Sequence, residues 1–114
     1  MSIASDTHLK APPAGEPEGG FSDEVLEIAS RFGVRDLLPR VYGQIYQLFP
    51  WPITVRVEWD PEIPDYPKVC FLVKTALTVE QSIERQRRWF QQVYELAGSD
   101  CLLFILTPYP ATSE

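Results

Sequence analysis

Apolar and polar positions recur at two periods along this chain, and each period predicts an element. From Phe21, Val25, Ile28, Ala29 and Phe32 return at helical spacing. Ser22 precedes them as an N-cap, and Asp23 and Glu24 place negative charge in the first turn, where the helix dipole favours it. Gly33 is a natural stop, so the spacing predicts a helix over Asp23 to Phe32. A second helix is predicted over Leu37 to Leu48, with Asp36 as its cap and Pro39 tolerated in its first turn. Its apolar arc of Leu37, Leu38, Val41, Ile45, Leu48 and Phe49, widened by Tyr42 and Tyr46, is broad enough to touch two neighbours.

The period then falls to two. In "ITVRVEW", Ile53, Val55, Val57 and Trp59 share one face and Thr54, Arg56 and Glu58 the other, as in a half-buried strand. "KVCFLVKTAL" (Lys68–Leu77) predicts a second strand, and the two read as an antiparallel hairpin. Between them "DPEIPDYP" (Asp60–Pro67) reads as a stiff loop, longer than the commonest hairpin turns, whose prolines bar ladder pairing. Thr78, with Gln81 three residues on, is a capping box opening a long helix that Gly98 closes. Val79, Ile83, Phe90, Val93, Tyr94 and Ala97 predict its buried stripe. Gln86 falls within that stripe and needs a partner, while Trp89 and Leu96 lie on one flank, where a second helix or subunit can cover them. "CLLFILT" (Cys101–Thr107) predicts a last strand, apolar on both faces.

The order ααββαβ implies an α+β fold: a three-stranded mixed sheet with a β-hairpin and a long crossover helix packed on it. The right-handed crossover rule makes strand three parallel to strand two if it lies beside it. A place beside strand one is the other option. Residues 1–20, ending in "APPAGEPEGG", lack periodicity and read as a disordered leader; 21–109 form a single domain and 110–114 a short tail.

Composition narrows the function classes. The 114 residues are 45% hydrophobic, enough for one small core. Net charge is −6, and the only dense basic group is Arg85, Arg87 and Arg88, which disfavours nucleic-acid binding. No run approaches the roughly 18 apolar residues of a membrane span, and "MSIASDTHLK" lacks the apolar core of a signal peptide. The expected location is therefore cytoplasmic. Cys70 and Cys101 fall inside predicted strands and read as buried free thiols in a reducing compartment. With one histidine, His8, in the leader and no C-x-x-C pair, zinc spacing is missing. No phosphate-binding, nucleophile-elbow or metalloprotease motif occurs, and no cofactor is expected.

Three groups remain as candidates. Asp60, Glu62 and Asp65 offer carboxylate oxygens suited to a hard cation, although their spacing fits no EF-hand. The same acids read more simply as a solvated turn that a partner touches. Arg85 and Arg88 share a helix face able to meet an acidic partner, and Trp89 lies beside them. Two open sheet edges and a doubly apolar strand imply a homodimer or a heteromeric protein partner. The favoured expectation is a small non-catalytic interaction or assembly domain. The alternative is a metal-assisted hydrolase or small-ligand-binding domain using the acidic segment.

From Glu58 to Val93, "EWDPEIPDYPKVCFLVKTALTVEQSIERQRRWFQQV" resembles small uncharacterised bacterial proteins in which a strand ending in D-P-E leads to a second strand and a long helix. The resemblance implies a bacterial cytosolic protein and carries no catalytic residue.

Overall fold

The computed structural model describes residues 15–17 and 19–110; most of the expected leader, with His8, and the last four residues lie outside the described residues. Among the described residues the elements are α1 (Asp23–Arg31), α2 (Leu38–Leu48), β1 (Ile53–Asp60), β2 (Ile63–Thr75), α3 (Val79–Ala97) and β3 (Phe104–Pro110). Short 3₁₀ turns, Arg35–Leu37 and Gly98–Leu103, precede α2 and β3. The fold is α+β with a mixed sheet in the order β1-β2-β3. β1 and β2 are antiparallel, and β3 lies beside β2 and parallel to it.

Local chemistry sets the helix ends. Ser22 Oγ accepts the Val25 N–H. Thr78 Oγ1 accepts the Gln81 N–H while Gln81 Oε1 accepts the Thr78 N–H, completing the capping box. Gly98 stops α3 at φ +63°, a conformation that a side chain would strain. Asp36 does not cap α2: the 3₁₀ turn takes up that corner, and α2 starts at Leu38 with no side-chain cap.

The register gives the sheet two unlike faces. Ile53, Val55 and Val57, then Val69, Phe71 and Val73, then Phe104 and Leu106 share the face under the helices. Phe71, Val69 and Val73 there are fully buried, as are Val25, Val41 and Ile45 on α1 and α2. Each such side chain contributes about 1.5–3 kcal/mol relative to exposure. The other face carries Arg56, Cys70, Leu72, Lys74, Ile105, Thr107 and Tyr109. Its apolar members on β3, Ile105 and Tyr109, meet solvent. Strand three, expected to need cover on both faces, is covered on one. It also begins three residues later than expected, because Cys101 and Leu103 are buried from within the 3₁₀ turn.

The largest departure is the rotation of α3. Four of the six residues of the expected stripe face outward: Val79 is 74% exposed, Ile83 50%, Phe90 52% and Tyr94 58%. Val93 is buried and Ala97 packs against the core as expected, but they are joined there by Trp89 and Leu96 from the flank. Two polar anchors fix this rotation. The Arg85 guanidinium donates to Leu48 O at 2.8 Å, and the Gln86 amide donates to Leu106 O at 2.7 Å. Trp89 lies between them on the helix, about 100° per residue placing all three on one side. Two satisfied hydrogen bonds and the largest side chain of the helix outweigh four medium ones.

The edge at β3 is blunted. Pro108 and Pro110 follow Leu106 at the strand period of two, so they share its backbone direction and have no N–H to offer. Gln86 already occupies the Leu106 carbonyl. β1 contains no proline between Ile53 and Asp60.

Candidate functional site

"DPEIPDYP" is not a loop but the end of a projecting β-arm. β1 runs on to Asp60, Pro61 and Glu62 form a two-residue turn, and β2 starts at Ile63. Asp60 pairs with Ile63, and the Glu62 N–H donates to Asp60 Oδ1 at 2.9 Å across the turn. The next pair is Glu58 with Lys68, so Trp59 alone faces residues 64–67. Prolines 64 and 67 lie in this bulge, where a missing N–H interrupts no ladder. The sequence reading was right about the interruption and wrong about its extent.

The arm overhangs the sheet, since β3 joins β2 only from Val69. Two contacts hold it. The Trp59 indole N–H donates to Glu24 on α1 at 3.1 Å, and Lys68 Nζ donates to Leu102 O in the second 3₁₀ turn at 2.9 Å. Between the arm and that turn lies a cleft of about 740 Å³, within the range of ligand and peptide sites. Phe32, Trp59, Ile63, Tyr66, Leu102 and Leu103 give it a predominantly apolar lining. Four of these, Trp59, Ile63, Tyr66 and Leu102, are 46–62% exposed. The polar members are Glu58, Asp60, Asp100, Ser99 and Lys68, so carboxylates outnumber the one cation. Glu58 also pairs with Arg56 on the open sheet face.

The candidate residues separate. Asp60 lines the cleft, whereas Glu62 and Asp65 lie on the exposed arm. Among the described residues no three His, Cys, Asp or Glu side chains converge as a metal site would require. Arg85 is committed to the C-terminal carbonyl of α2, and Arg88 pairs with Glu84 one turn back at 2.8 Å. Trp89 is 3% exposed in the core, covered by its own chain. Phe32, Lys68, Leu102 and Leu103 escaped the sequence reading because three separate segments bring them together. Ile63 and Tyr66 carried a local signal, two apolar residues inside an otherwise charged string.

The thiols are free and buried. Burial pushes the Cys70 thiol up, the Glu58 carboxylate adds to this, and Arg56 opposes it in part. A thiol held protonated in this way is a poor nucleophile.

Fold and site thus define an α+β domain with an acid-rimmed apolar cleft beside a β-arm. No family model, curated protein or solved structure matches the chain. No helix among the described residues is long and apolar enough to cross a membrane.

Proposed function

We propose that this chain is a non-catalytic protein-interaction domain of a reducing cytoplasm, and that its cleft seats a short segment of another protein. The occupant fitting it best is a peptide with an apolar side chain flanked by lysine or arginine. One observation carries this reading: four large apolar side chains, each about half exposed, converge in a single concave site under a rim with excess negative charge. Apolar side chains left open to water mark an interaction surface when they cluster in this way. The rim charge steers a cationic partner and discriminates against an acidic one.

The test is to titrate the ¹⁵N-labelled chain with a repeating Leu–Lys peptide and with its Leu–Glu counterpart. Shift changes confined to Trp59, Ile63, Tyr66 and Leu102 are expected with the first peptide, and none with the second. Raising the salt from about 0.1 to 0.5 M should weaken binding several-fold, as screening shortens. Leu102→Asp removes an apolar wall while adding a carboxylate, so it should abolish binding. Tighter binding by Leu102→Asp, or equal response to both peptides, would defeat the proposal.

A further inference from the structure

The outward ridge of α3 has a second property besides being apolar. Val79 and Ile83 are four residues apart, Phe90 and Tyr94 are four apart, and seven separate the inner two. The spacing is the same read from either end, with its midpoint between Gln86 and Arg87. All four side chains are at least half exposed, and the ridge runs about 22 Å along the helix at 1.5 Å per residue. We infer that this ridge is an isologous dimer interface, on which α3 of a second copy lies antiparallel about a two-fold axis through that midpoint.

The palindromic spacing is what selects a second copy as the occupant. A two-fold interface requires that if one residue meets another, the reverse contact is also made. An antiparallel α3 satisfies this by setting Ile83 against Phe90 and Val79 against Tyr94, each twice. Small side chains thereby meet aromatic ones, the alternation that lets two ridges interdigitate. An unrelated partner has no reason to find a surface symmetric about its own centre. The ridge also supplies a substantial share of the area a dimer needs. Aromatic side chains present about 150–250 Å² each, so the four half-exposed residues offer on the order of 400 Å² per copy. The polar residues flanking the ridge bring this toward the ~800 Å² per partner of a standard interface.

One feature works against association and gives a test of the axis. Arg87 flanks the midpoint and has no ion pair among the described residues, so the axis brings it near Arg87 of the second copy. Repulsion between them must be screened or removed for tightest binding. Added salt therefore strengthens this contact, opposite to its effect on a cationic peptide in the cleft.

Sedimentation of the full chain at micromolar concentration should give about twice the 13.0 kDa chain mass. Phe90→Asp should give the monomer with an unchanged far-UV circular dichroism spectrum, and Arg87→Gln should lower the dimer dissociation constant several-fold. Under oxidation the double variant Ile83→Cys/Phe90→Cys should cross-link into a covalent dimer, as its opposed positions predict. Leu102→Asp, in the cleft, should leave the mass unchanged, and Phe90→Asp should leave binding of the Leu–Lys peptide unchanged. A wild-type monomer at high micromolar concentration would overturn the inference. So would a dimer that persists in Phe90→Asp, or one that dissociates in Leu102→Asp.

Discussion

Trp89 is where residue chemistry and fold are most at odds. It is buried, yet among the described residues its indole N–H has no hydrogen-bond partner, and neither has the buried Oε1 of Gln44. An unsatisfied buried donor costs about 1–3 kcal/mol. Trp89→Phe removes that donor together with some packing volume, so the two effects offset and stability should fall by no more than about 1 kcal/mol. Trp89→Ala keeps only the loss and should cost about 3–5 kcal/mol. Urea denaturation of the two variants measures the difference. Equal destabilisation would mean that the indole N–H is satisfied after all.

Among the elements, α3 depends most on its start. Both capping-box bonds are made, and the Thr78 hydroxyl accepts the Gln81 N–H. Thr78→Ala should therefore cost about 1 kcal/mol, and Thr78→Ser much less. A thermal melt showing equal loss for both would place the effect in the threonine methyl and not in the cap. Such ends were legible in the sequence because capping needs particular side chains at fixed short distances. The order of elements and the span of β1 were legible for a similar reason. The rotation of α3 was not. Periodicity counts apolar side chains, whereas Arg85 and Gln86 turn the helix by reaching carbonyls on α2 and β3 that are 37 and 20 residues away in the chain. Hydropathy also failed at Cys101–Leu103, since a 3₁₀ turn buries apolar residues as well as a strand does. Of the site, only Asp60 and the apolar residues hidden in "DPEIPDYP" could be read locally. The opposite wall belongs to a turn whose position depends on the crossover.

At the scale of the molecule, two groups link stability to pH on the alkaline side. Burial raises Cys70 above the ordinary thiol value of 9.0, and burial with the nearby Tyr46 raises Tyr42 above 10.0. In both cases the fold favours the neutral form. Below the ordinary values the folded and unfolded chains are both protonated, and this contribution is fully present. Above them the unfolded chain ionises first, so stability is lost as pH rises toward the folded values. The urea midpoint should hold from about pH 7 to 8 and fall by about pH 10, with a later onset in Cys70→Ala. A midpoint that rises over that interval would contradict the sign.

The blunted edge at β3 also fixes how many copies backbone pairing can join. A sheet that grows by adding strands needs a free edge at each end, as a polymer needs two reactive ends per monomer. With Pro108, Pro110 and the Gln86 amide closing one side, β1 is the one edge left open among the described residues. Pairing of β1 with β1 then consumes both ends, and the reaction terminates at two. Growth by strand addition alone is thereby limited by stoichiometry rather than by solubility.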